Sequence, residues 1–153
     1  MKKLNALITT LASYIPQYQK VAPSISQSNI GWQIEHCLLT INLVTKALQQ
    51  SNPIEFKRKF SLSKLIVFTT KKIPRGKAKA PKIVLPKLVS EQGLHASIIT
   101  ANESVVTLSK LTPQQFFAHP YFGHLQLNNA ITFLEIHTQH HLKIIKDISE
   151  QEA

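Results

Sequence analysis

The stretch LNNAITFLEIHTQHHLKIIKDI, residues 127–148, decides how the rest of the chain is read. Ala130, Leu134, His137, His141, Ile145 and Ile148 recur at spacings of three and four, the period of one face of an α-helix. The segment predicts a helix from about Leu127 to Ile148 with that stripe turned inward. Two stripe positions carry histidine where an aliphatic side chain is expected. At ~100° per residue, His137 and His141 lie ~40° apart, one turn from each other on the same face. That spacing lets two imidazoles converge on one metal, as in the His-x-x-x-His pairs of zinc enzymes. An unsatisfied buried polar group costs ~1–3 kcal/mol, and a metal with outer acceptors satisfies both rings at once. His140 is turned ~100° from His141 and cannot join the same narrow face.

Upstream, Phe116-Phe117-Ala118-His119-Pro120-Tyr121-Phe122-Gly123-His124 reads as an aromatic loop. His119 and His124 can line a pocket mouth there, with structural packing the expected role of both. A helix over roughly 88–110 precedes it, with Leu94, Ile98, Ala101, Val105 and Leu108 as its stripe and His95 off it, on the surface. Residues 2–14 form the first helix, striped by Leu4, Leu7, Ile8, Leu11 and Ile15. Asn5, Thr9, Thr10 and Ser13 interrupt any apolar core of a signal peptide. A second helix starts at a Ser28 or Asn29 cap and runs to about Gln50, with Pro53 stopping it. One of its faces carries Ile30, Ile34, Leu38, Ile41, Thr45 and Leu48, and a neighbouring face carries Trp32, His36, Leu39, Leu43 and Ala47. So wide an apolar arc predicts burial on more than one side. Ser61 can cap a short helix to about Phe68, although Ile66 to Thr70 also permit a strand. No convincing set of strands is found. Four long amphipathic segments predict an all-α four-helix bundle, one domain over residues 1–153.

A third metal ligand should come from another helix, and His36 is the candidate, as the histidine inside the second helix. Cys37 points ~100° away from it and reads as a small buried hydrophobe. Trp32, Glu35, His119, Tyr121, Phe133 and His140 are the candidates to surround such a site, with Glu35 and Glu135 also readable as solvated charges.

The 153 residues suit one core, and 43% apolar composition argues against disorder. One cysteine excludes an intrachain disulfide and a multi-cysteine zinc ribbon, and suits the reducing cytoplasm. No stretch approaches the ~20 apolar residues of a membrane span, and no membrane partner is expected. The formal charge of +10 is concentrated: eleven basic and no acidic residues lie between Lys57 and Lys87, against seven basic and eight acidic elsewhere. Pro74, Gly76, Pro81 and Pro86 make residues 71–87 a long basic loop. It reads either as a solvated connection or as an anion site, with Lys72, Arg75 and Lys77 as candidates. Nucleic acid is the weaker form of that second reading, because no aromatic for base stacking lies between Lys71 and Lys87.

His36 together with His137-Thr-Gln-His-His141 resembles the DinB/YfiT-like superfamily of metal-binding four-helix bundles. Gly31-Trp-Gln-Ile-Glu-His36, His119-Pro-Tyr-Phe-Gly123, Phe133 through Asp147, and Ile73-Pro-Arg-Gly-Lys77 are similar to a subgroup of uncharacterised bacterial DinB-like proteins. The resemblance covers most of the chain. It implies a metal triad of His36, His137 and His141. It also implies, for some members, thiol-dependent transferase or isomerase activity with a low-molecular-weight thiol such as bacillithiol or mycothiol as cosubstrate. The basic 57–87 segment, which lengthens the connection between the second and third bundle helices, departs from the simpler members. So does Gln126, which stands where a Ser or Thr cap is expected.

Three imidazoles would leave a position open for water or substrate, and they favour zinc or nickel over iron or manganese. Such a site suits hydrolysis through an activated water, or thiol transfer, on a small-molecule substrate. The rival readings are a metal-stabilised bundle without catalysis and an anion- or nucleic-acid-binding module built on residues 57–87. A homodimer is compatible with any of the three. No Ser-His-Asp order, phosphate-cradling glycine loop or paired carboxylate site competes.

Overall fold

A computed structural model describes residues 1–76 and 81–151. Among the described residues helix makes up 63%, alongside one two-stranded sheet, so the all-α expectation holds at the level of class. The five α-helices are α1 (Lys2–Ser13), α2 (Ile30–Gln50), α3 (Leu62–Thr70), α4 (Glu91–Leu108) and α5 (Leu127–Glu150). Helix α2 packs along α4 and α5, and α1 packs along the same two, with little direct contact between α1 and α2. Leu4, Ile8, Leu11, Ile34, Leu38, Ile41, Leu94, Leu108, Leu134 and Ile145 fill the space between them and are almost wholly shielded from water. Burying each such side chain contributes ~1.5–3 kcal/mol.

Local chemistry sets the helix starts. Asn29 caps α2 by accepting the Trp32 N–H (2.8 Å), Ser61 caps α3 by accepting that of Lys64, and Ser90 caps α4 by accepting that of Gly93. The Ser90 cap starts α4 three residues later than the apolar pattern suggests. Helix α5 opens at Gln126 with no side-chain cap, as its sequence implies.

Two expectations need correction, and one open choice is decided. The aromatic stretch is no loop. Phe116–His119 (β1) and Gly123–Gln126 (β2) pair antiparallel in a hairpin, with Phe116 opposite Gln126 and His119 opposite Gly123. Gly123 takes φ +70 at the turn, and His119 Nδ1 accepts the N–H groups of both Tyr121 and Phe122 at 3.1 Å. Residues 62–70 adopt the helix permitted by Ser61, not the strand. On α2, the second buried strip is Gln33, Cys37, Thr40 and Val44, whereas Leu39 and Leu43 are half-buried and Ala47 is exposed.

The basic connection after α3 is also more than a solvated loop. It contains a 3-10 turn, Lys82–Val84, with Val84 buried, and Ile73 and Val89 pack against the core. At its end, Val89 closes over the first turn of α2. Gly31 donates its N–H to the Tyr18 carbonyl (2.7 Å), and a Cβ on Gly31 would stand 2.9 Å from Val89 Cγ1 and 3.0 Å from that carbonyl. Only a glycine admits this approach.

Candidate metal centre

The inward stripes of α2 and α5 bring His36, His137 and His141 together. One ring nitrogen from each lies within 4.8 Å of the others, and the ring centroids stand 4.6–5.0 Å apart. Their hydrogen bonds show which nitrogens face inward. A carbonyl only accepts, so the 2.7 Å contact between His36 Nδ1 and the Val84 carbonyl places the proton on Nδ1. His141 Nδ1 likewise donates to Gln33 Oε1 (2.6 Å), with that amide oriented so that its Nε2 donates to Ser26 Oγ (3.1 Å). Both rings therefore carry their Nε2 lone pairs free. His36 Nε2 lies 3.2 Å from His137 Nε2. His137 Nδ1 is buried and has no partner among the described residues.

These residues fit a metal. A tetrahedral ion with metal–nitrogen bonds of ~2.0–2.1 Å spaces its ligand nitrogens ~3.3 Å apart, close to the His36–His137 edge. The widest edge, up to 4.8 Å, is longer. Without a cation, two outward-anchored rings aim lone pairs at a space where His137 has one proton to offer. A cation relieves that repulsion. Anchoring the distal Nδ1–H on a carbonyl or amide oxygen is the arrangement that fixes the tautomer of metal-ligating histidines.

The electrostatics agree. Burial pushes the pKa of His137 well below the ordinary imidazole value, and the neighbouring His141, His36, His140 and His119 push it further. Burial is also the first cause of the depressed values of His141 and His36; at His36 the Val84 bond partly opposes it. All three rings are held in the neutral form that coordination requires.

The surrounding candidates divide. Trp32 stacks on His36 (5.1 Å, 13°), and Phe133 lies against His137 (5.5 Å). His140 stands edge-on to His141 at 5.1 Å, outside the triad, and bonds the Ile73 backbone. His119 stacks on Phe122 (4.2 Å) and meets Phe133, one layer beyond His137, while serving the hairpin turn. Tyr121 lies on that turn, half-exposed. Glu35 points to α4, where Ser97 donates to its Oε1 (3.0 Å); burial raises its pKa, and its Oε2 is buried with no hydrogen bond among the described residues. Glu135 pairs with Lys3 at 3.4 Å. Cys37 is wholly buried, as a small hydrophobe should be, and His95 is exposed. Lys72 is exposed on the connection, Arg75 is engaged by Asp147 (2.7 Å), and Lys77 lies outside the described residues.

Two members of the site escape a reading of motifs. Gln33 had a signal, being a long polar residue one turn before His36 in a largely apolar helix. Val84 contributes a backbone carbonyl, which no side-chain pattern announces.

No known protein family, curated protein or solved structure matches the chain.

Proposed function

We propose that the chain is a DinB-like four-helix bundle in which His36, His137 and His141 hold one divalent ion, zinc or nickel, for a reaction on a small molecule. The convergence of three neutral imidazoles, two of them pinned through Nδ1, carries this reading. Bound there, the ion supplies Lewis acidity for activating a water or a thiol. The protein's own part is positional. Val84 and Gln33 hold the rings of His36 and His141, and Trp32 and Phe133 exclude water from one side each. Thiol transfer, with a low-molecular-weight thiol as cosubstrate, and hydrolysis are the two reactions this arrangement serves.

A non-catalytic, metal-stabilised bundle is the second reading, and one observation favours it. Two shallow, open hollows among the described residues lie away from the three rings, one along α2 and α4 between Asn42 and Thr107, the other beside Ile25 and Asp147. Elemental analysis of protein purified without a histidine tag tests the shared premise. About one metal per chain is expected, lost in each of His36→Ala, His137→Ala and His141→Ala. Wild-type metal content in all three variants overturns the site. Metal-dependent turnover in thiol-transfer or ester-hydrolysis screens then selects the enzyme, and blank screens on fully loaded protein select the structural role.

A further inference from the structure

Helix α3 is apolar on its outer face as well as on its inner one. Its inner face carries buried Val67, with Phe68 packed edge-on to Phe122 (5.9 Å) and the ammonium groups of Lys64 and Lys71 over the Phe68 ring at 5.6 and 5.8 Å. Its outer face carries Leu62, Leu65 and Ile66, which are 60%, 54% and 52% exposed, and Phe60 just before the cap is 83% exposed. The helix is not loose: Ser61 and Ser63 donate to the Tyr121 carbonyl of the hairpin turn, so the apolar side is held outward. Lys57, Arg58 and Lys59 stand exposed before it and Lys71 and Lys72 after it, with no acidic residue between Glu55 and Glu91.

An exposed apolar stripe of this kind marks an interaction surface, and cations at both of its ends specify an anionic partner. A second copy of this face is disfavoured by charge, since it would oppose the same lysines and arginine. A protein partner is disfavoured by size. Three side chains on α3 and Phe60 before its cap fall short of the ~800 Å² per partner of a stable protein interface. A ridge of aliphatic and aromatic side chains between basic residues fits a fluid interface, where the apolar groups enter the acyl boundary and the cations meet lipid phosphates.

We propose that Phe60 and the outer face of α3 dock the protein on an anionic lipid surface. This is attachment to a membrane face, not passage through it; among the described residues no helix is long and apolar enough to cross a bilayer. It runs against the expectation of no membrane partner drawn from the lack of a span.

The test is co-sedimentation of the full chain with vesicles of phosphatidylcholine alone, and of phosphatidylcholine with roughly one quarter phosphatidylglycerol. Binding is expected with the anionic vesicles alone, and is lost as salt approaches ~0.5 M. The pairs Leu65→Ser with Ile66→Ser, and Lys57→Glu with Lys59→Glu, should each lower the bound fraction at least about tenfold, while the circular dichroism spectrum stays unchanged. Absence of binding to the anionic vesicles overturns the proposal. So does wild-type binding by the Leu65/Ile66 variant, which would reduce the effect to unspecific charge. Capture by an acidic amphipathic peptide, with vesicles ignored, would reassign the face to a protein partner and equally overturn it.

Discussion

Gln33 fixes the ring of His141 as a carbonyl fixes that of His36, yet it is a side chain and so can be exchanged. Gln33→Leu removes the acceptor and should weaken zinc binding about 10–100-fold, while Gln33→Glu keeps an acceptor and should bind at least as tightly as wild type. Competition against a chelating dye measures both, and equal affinity in all three proteins would show that the bond positions nothing. His119 makes a prediction of a different kind. Burial lowers its pKa to about 4, and its Nδ1 already accepts two backbone N–H groups, which a proton there would displace. The unfolded value is ~6.5, so between that pH and about 4 the unfolded chain binds more protons at this position. The stabilisation is complete above ~6.5 and is lost as pH falls towards the folded value. In His119→Asn, the Oδ1 can accept the same N–H groups without titrating, so the urea midpoint should depend less on pH across that window than in wild type. Parallel pH profiles for the two proteins would refute the assignment.

At the level of elements, the connection between α3 and α4 matters more than its composition suggests. It gives Val84 to His36 and Ile73 to His140, and it lays Val89 on Gly31. Gly31→Ala would drive a methyl into Val89 and the Tyr18 carbonyl, and should cost ~1–3 kcal/mol. A melting temperature unchanged from wild type would show that the contact yields freely. The contrast with what the sequence discloses follows from range. Helices declare themselves within a few residues, so α1, α2, α4, α5 and the placement of His137 and His141 on an inward stripe were legible. The hairpin was not, because four-residue strands are too short for alternation to stand out and their pairing depends on a turn held by His119. On α2 the apolar pattern points one column away from the strip that is buried. Leu39 and Leu43 look like core by composition, but Gln33 and Thr40 take the inner positions because His141 and the His36 carbonyl satisfy them. Residues 62–70 read equally as helix or strand in the sequence because their apolar side chains face both ways. The role of a backbone carbonyl at Val84 has no side-chain signature at all.

For the molecule as a whole, the three-histidine cluster ties α2 and α5 to the connection, so occupancy by the proposed ion should be read in global stability. An ion that binds the folded chain alone adds ~2.7 kcal/mol at a concentration one hundred times its Kd. Chelation should therefore lower the melting temperature by roughly 5–10 °C, an effect absent in His137→Ala. A chelator-insensitive wild type would argue against tight loading. The same packing has a practical corollary at Cys37. Its thiol has no solvent exposure, burial makes it far less acidic than usual, and it is the one sulfhydryl in the sequence. An alkylating reagent can reach it only when α2 separates from its neighbours, so mass-detected labelling of this single atom times the spontaneous opening of the protein, with no engineered probe required.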